Sequence, residues 1–179
     1  MKKGRLDMKK YLALLLALVM SLSLFACGKK DNGDNKDNKD NTEYKVAMIT
    51  DYGDITDQSF NQTTYEACKA FAEKNSIEFK YYKPAGDNTA DRVAMIESAV
   101  EEGFNVIVMP GYAFGGAIVE AAPQHKDVKF IALDVAKGDL LEAGVAKAGE
   151  KYDFNPDNWE LEKYVDMSNV YCAIYKEEL

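Results

Sequence analysis

The chain is poor in the residues that most often carry chemistry. It has one histidine, His125, and three cysteines, Cys27, Cys68 and Cys172. A lone histidine excludes multi-histidine metal centres such as His-Glu-x-x-His, and there is no Cys-x-x-Cys pair. No Gly-x-Gly-x-x-Gly comes after the first strand-like run, so dinucleotide binding lacks its fingerprint. The Gly-x-x-x-x-Gly-Lys-Ser/Thr phosphate loop and the Gly-x-Ser-x-Gly nucleophile elbow are missing too. No metal or cofactor is expected. A basic surface is also lacking: the formal net charge is −8, which argues against a nucleic-acid partner. His125 lies in a polar turn after Pro123 and is expected to be solvated. Cys68 and Cys172 are expected as two buried free thiols rather than a disulfide.

Long apolar runs are confined to the beginning. Lys2, Lys3, Arg5, Lys9 and Lys10 precede the stretch from Tyr11 to Ala26. At about sixteen residues that stretch is short of the ~20 a membrane span needs. A basic start, a short apolar centre and a small residue at the end make residues 1–26 a secretion signal. Residues 28–41 hold only glycine, lysine, aspartate and asparagine, cannot bury a core, and are expected to be a disordered tether. Their carboxylates miss the calcium-loop pattern, since Lys36 and Thr42 stand where glycine and glutamate are needed.

From Glu43 onward, strand and helix patterns alternate. Strands are predicted at Lys45–Thr50, Ile77–Lys83, Asn105–Met109, Phe130–Leu133 and Asn169–Tyr175. Helices are predicted from Ser59 to Asn75, over Ala90–Glu102 and over Ala113–Ala122. In the first helix Ser59 and Gln62 fit a capping box, and Ala67, Cys68, Phe71 and Ala72 form the expected buried stripe. In the second the stripe is Val93, Ile96, Ala99 and Val100, and Gly103 is the C-cap. Residues 137–167 are rich in glycine and charge and read as a loop-rich insertion with one short helix. The order implies an α/β fold, a doubly wound parallel sheet with helices on both faces. Open sheets of this kind bind ligands at the carboxyl ends of their strands. Those ends carry Asp51, Gly111-Tyr112 and Asp134. The alternative for Asp134 is a turn or helix-cap residue, and for Gly111–Gly116 tight helix–strand packing.

The first strand-to-helix loop is the most informative stretch: Asp51-Tyr52-Gly53-Asp54-Ile55-Thr56-Asp57-Gln58-Ser59-Phe60-Asn61-Gln62. Its carboxylates, amide and aromatic ring are equipment for a polar small molecule with a flat ring. Carboxylates accept hydrogen bonds from the polar groups of such a molecule, and a phenyl face can stack on its ring. Phe60 could instead staple the start of the helix.

The pattern Asp-x-Gly-x-x-Asp-x-Ser-Phe-Asn-Gln resembles the basic membrane protein family. These are lipoprotein substrate-binding components of ABC transporters, including purine nucleoside receptors. Gly111-Tyr112-Ala113-Phe114 and Lys129-Phe130-Ile131-Ala132-Leu133-Asp134 agree with it, and Leu24-Phe25-Ala26-Cys27 resembles a lipobox. The resemblance implies a type I periplasmic-binding-protein fold, two α/β lobes closing on a nucleoside. It implies ligand contacts at Asp51, Asp57, Ser59, Phe60, Asn61, Gly111, Tyr112 and Asp134, and lipid on Cys27. Residues 27–42 become the lipidated cysteine and tether, and residues 43–179 an N-terminal lobe. The implied partners are ABC permease and ATPase subunits, and the implied place is the extracytoplasmic face of the cell membrane. The family's chains are about twice as long, and this one stops at the first turn of a helix, so the second lobe is expected to be missing.

Three functional classes are open to such a chain: a receptor for a nucleoside, with a sugar or another small polar metabolite as the other ligand class; an inert one-lobe fragment; and an enzyme using Asp51 and Asp57 as acid and base. The enzyme ranks last, because no nucleophile or metal set accompanies the carboxylates.

Overall fold

The computed structural model describes residues 43–174. The secretion signal, Cys27, the tether and the five residues after Ile174 lie outside the described residues.

Five parallel strands form one sheet in the order β2-β1-β3-β4-β5: β1 Lys45–Ile49, β2 Glu78–Tyr82, β3 Val106–Pro110, β4 Lys129–Leu133 and β5 Val170–Ala173. Four helices make the crossovers: α1 Phe60–Asn75, α2 Thr89–Glu101, α3 Gly115–Ala121 and α4 Lys137–Lys147. The step from β1 to β2 runs one way across the sheet and all later steps run the other way. Right-handed crossovers therefore put α1 on one face and α2, α3 and α4 on the opposite face. The reversal falls between β1 and β3, the switch point where such sheets open a crevice at their carboxyl ends.

Strand side chains alternate between the faces. Ala47, Ile49, Ile107, Met109, Phe130 and Ala132 point to the three-helix face, where they are buried against Ile96, Ala99, Ile118 and Leu140. The alternate residues Val46, Val106, Val108 and Ile131 look toward α1, and with Ala67, Cys68 and Phe71 they line an apolar groove.

That groove corrects the expected stripe of α1. Ala72 is buried, but Ala67 is exposed, Cys68 is half-buried and Phe71 is 55 % exposed. The inward positions of the first turns are instead the polar Asn61 and Thr64. The capping box is corrected as well. Ser59 occupies the N-cap position but its side chain makes no capping bond, and the Gln62 side chain accepts from the backbone of Gln58 at 3.0 Å. Asp57 does the capping: its Oδ1 accepts from the backbone N–H of Ser59 at 2.8 Å and of Gln62 at 3.2 Å. A carboxylate beats a neutral side chain here because the N-terminal amides carry the positive end of the helix dipole. Gln58, at φ +56, makes the left-handed step between Asp57 and the helix.

Residues 137–147, read from sequence as part of an insertion, are the crossover helix α4. Its stripe is Leu140, Leu141, Gly144 and Val145. Gly144 is needed for close packing, since a Cβ there would meet Val165 Cγ2 at 2.9 Å. The irregular part is confined to residues 148–169, held by stacking among Tyr152, Phe154, Trp159 and Tyr164. The thiols of Cys68 and Cys172 are free, but Cys172 is exposed rather than buried. His125 is not simply solvated, as its Nε2 lies 2.9 Å from Glu97 Oε1.

Candidate functional site

The end of β1 is pinned by Thr50, whose backbone N–H donates to Tyr82 O at 3.0 Å. The chain then turns around the carboxylate of Asp51. Asp51 Oδ1 accepts from the backbone N–H of Tyr52 at 2.6 Å and of Gly53 at 2.8 Å, and from Asn61 Nδ2 at 2.8 Å. Asn61 Nδ2 also donates to Asp57 Oδ2 at 2.9 Å, and Asn61 Oδ1 accepts from the Asp51 backbone N–H at 3.3 Å. One buried amide thus bridges two carboxylates and the end of a strand. Gly53 is required beside it, because a Cβ there would stand 2.6 Å from Asn61 Nδ2.

Burial acts to raise the Asp51 carboxyl, but the bonds from Gly53, Asn61 and Tyr52 and the charge of Arg92 outweigh it and hold Asp51 below the usual carboxylate range. In Asp57 desolvation likewise acts upward and is outweighed by bonds from Asn61, Ser59 and Gln62. Both are therefore anions at neutral pH. Asp51 commits Oδ1 to the loop, and no hydrogen bond within the protein engages its Oδ2 among the described residues.

Gly111 ends β3 next door, and its N–H donates to Leu133 O at 2.8 Å, tying the ends of β3 and β4 together. It has φ +110 and ψ 148, a conformation open essentially to glycine alone. A Cβ built on it would lie 3.9 Å from Asp51 Cβ and Oδ2, so Asp51 and Gly111 are neighbours across the switch point. Tyr112 comes next, at the start of a short 3-10 turn, and is 71 % exposed. At the end of β4, Asp134 is exposed and left-handed at φ +58, and its N–H donates to Ala173 O at 2.7 Å. It does not cap α4: the N-cap is Ala136, whose N–H donates to Asp139 Oδ2 at 2.7 Å.

The predicted residues fall into two groups. Asp51, Asp57, Asn61 and Gly111 interlock through the bonds and close approach just described. Ser59 and Phe60 follow in the same loop and helix start, Tyr112 and Asp134 come at the ends of β3 and β4, and all four are exposed, Phe60 by 41 %. Asn61, also among the expected ligand contacts, is 5 % exposed, and its amide makes the internal bonds given above. Sequence reasoning missed Arg92, which is 4 % exposed and donates from Nε to Asp51 O at 2.9 Å. Its signal was present: Arg92, Ile96 and Ala99 share one helical stripe, and a charge on a core stripe needs a reason. No group of three histidines, cysteines or acids among the described residues is arranged to hold a metal. A groove of about 440 Å³ lined by Thr89, Gly116, Val119 and Lys147 opens between the helices.

Known proteins resemble the chain over much of its length. A CD4+ T-cell-stimulating antigen of Listeria monocytogenes is 33% identical over 129 residues, which is 69% of this chain and 36% of that antigen. The ABC transporter nucleoside-binding protein BmpA of Lactococcus lactis is 22% identical over 130 residues, covering 70% of this chain and 36% of that protein. Among solved structures, a solute-binding protein of an ABC transporter system from Aeropyrum pernix K1 matches with a TM-score of 0.47 and 22% identity, over 52% of this chain and 25% of that one. The chain spans about a third of the length of these curated relatives, 36% in both cases. The Bmp family, described as ABC transporter substrate-binding protein PnrA-like, matches residues 44–154, and this chain belongs to it.

Proposed function

We propose that residues 43–174 are the N-terminal lobe of a receptor that holds a nucleoside, a purine nucleoside by preference, for uptake through an ABC permease and its ATPase. The observation that carries this reading is the anionic pair Asp51 and Asp57, fixed by Asn61 beside the half-exposed ring of Phe60 at the switch point of the sheet. An ionised carboxylate whose second oxygen is free can accept ribose hydroxyls, and the ring offers a face to a base. The Lactococcus lactis relative carries nucleoside binding in its name. Asp134 supplies a second acceptor from the end of β4, and Tyr112 a second aromatic from β3.

The reading includes no catalysis. An acid–base pair needs two carboxyls whose proton affinities are pushed apart, whereas Asp51 and Asp57 are both lowered. It places the protein at the extracytoplasmic face of the membrane, anchored by lipid on Cys27. No helix among the described residues is long and apolar enough to cross a membrane.

A second reading, a chain that folds one lobe and binds no solute, is favoured by the openness of the site, where Tyr112 is 71 % exposed. Calorimetric titration of the full chain with inosine, guanosine, adenosine and ribose separates the two. Saturable heat with a purine nucleoside and none with ribose supports the first. Heat with ribose alone moves the ligand class to sugars, and no heat with any of the four overturns the first and favours the second.

A further inference from the structure

Arg92 is a charge placed where the core should be. It sits in the first turn of α2, on the stripe that Ile96 and Ala99 continue into the apolar centre. Burying a guanidinium is costly unless its donors and charge are matched. Three partners match it, each from a different strand-end segment. Nε donates to the backbone carbonyl of Asp51 at 2.9 Å, in the loop after β1. Nη2 pairs with the carboxylate of Asp87, in the loop after β2. The guanidinium carbon stands 5.8 Å from the ring centroid of Phe114, in the turn after β3, and that ring is fully buried. The fork geometry of arginine suits this role, since lysine offers a point charge without fixed donor directions.

The carbonyl it grips belongs to the residue whose side chain is pinned from the other side. Asp51 Oδ1 is taken by Tyr52, Gly53 and Asn61, and its backbone N–H by Asn61. Arg92 supplies the remaining restraint, on the peptide itself. We infer that Arg92 is a positioning residue of the ligand site: it fixes the Asp51 peptide, and through it the direction of the free Oδ2, without touching the ligand. The inference rests on the reading that a ligand is held at Asp51.

The test uses the full chain with Arg92→Met, which keeps the aliphatic stem, and Arg92→Lys, which keeps the charge. Two measurements are made: carboxyl carbon-13 NMR titration of Asp51 and Asp57 without ligand, and calorimetry with guanosine. The expected result for Arg92→Met is that Asp51 titrates at higher pH while Asp57 stays, and guanosine binds about tenfold more weakly, the size a lost charge-assisted hydrogen bond gives. For Arg92→Lys the Asp51 titration returns toward wild type but the affinity does not. Full rescue of affinity by lysine overturns the inference, because charge alone would then suffice. An Asp51 titration unmoved by Arg92→Met overturns it as well. If Arg92→Met does not fold, Asp87→Asn decides: it alters only the exposed end of the clamp, and unchanged affinity there rejects the inference. If wild type binds no nucleoside, the ligand reading falls by itself, and the Asp51 titration still decides whether Arg92 sets Asp51.

Discussion

The ends of β1 and β4 each present an aspartate to the same edge of the sheet, and they are built in opposite ways. Asp51 is half-buried and held at every turn: Oδ1 by Tyr52, Gly53 and Asn61, its N–H by Asn61 and its carbonyl by Arg92. Asp134 is exposed, and among the described residues no hydrogen bond within the protein engages its side chain. What holds Asp134 is its backbone, left-handed at φ +58 with its N–H on Ala173 O. One end is rigid because its polar groups satisfy each other; the other keeps its acceptors because the backbone does the positioning. A site assembled this way separates stability from binding, and substitutions should pull the two apart.

The largest effect is expected on binding at Asp134. Asp134→Gly suits the left-handed backbone and removes the exposed side chain with its carboxylate. Nucleoside affinity should fall by about 100-fold or more, the loss of two hydrogen bonds to a charged acceptor, while the urea midpoint stays near wild type. Unchanged affinity by calorimetry would remove Asp134 from the site. At Asn61 the expectation reverses. Asn61→Leu keeps the γ-branched shape in a somewhat larger side chain but leaves Asp51 Oδ1 and Asp57 Oδ2 without their shared donor and facing each other. Urea denaturation should show a clear loss of stability, because the half-buried Asp51 loses the Asn61 bonds to its carboxylate and backbone N–H. If Asn61→Leu keeps wild-type stability, Asp51 is not held as described.

Much of this was legible in the sequence, and the misses share a physical cause. β1, β3, β4 and β5 were readable as short, largely apolar runs, and β2, of mixed polarity, by its aromatics and the Pro84-Ala85-Gly86 stop that follows it. Asp51, Gly111-Tyr112 and Asp134 could be placed at one edge because a parallel sheet gathers all its strands' carboxyl ends there. The inward face of α1 was misread because Asn61 and Thr64, polar and buried, occupy positions that a periodicity argument assigns to apolar residues. Arg92 escaped for a related reason: Asp87 is near in sequence, but Phe114 and the Asp51 carbonyl, 41 residues away, come beside it only in the fold. Helix α4 was hidden by Gly138, Gly144 and its charges. Gly144 is there for Val165 and Tyr164, contacts that no local pattern records. Burial of polar groups is decided by partners, and partners are a property of the fold.

Gly111 tests the contact between the two regions. Its φ of +110 strains any side chain, so Gly111→Ala should cost about 1–2 kcal/mol in urea denaturation. The added methyl would lie 3.9 Å from Asp51, an ordinary contact, so the cost is backbone strain and not collision. A Gly111→Ala chain as stable as wild type would mean that the turn after β3 can relax, and that the β3 end is no more fixed than Asp134.

The smallest effect is on pH dependence, and its sign is set by the network. Asp51 and Asp57 are both held below the ordinary value, near ~3.9 for an aspartate in an unfolded chain. Such groups contribute stability that is fully present above the unfolded value and is lost as pH falls through the folded one. The urea midpoint of wild type should therefore decline as pH is lowered from about 5 to about 2. Asn61→Leu removes a donor that lowers both carboxyls, so its decline over the same range should be shallower. Parallel declines would show that Asn61 does not set the charge state of the pair, and the contrast with Asp134 would then rest on geometry alone.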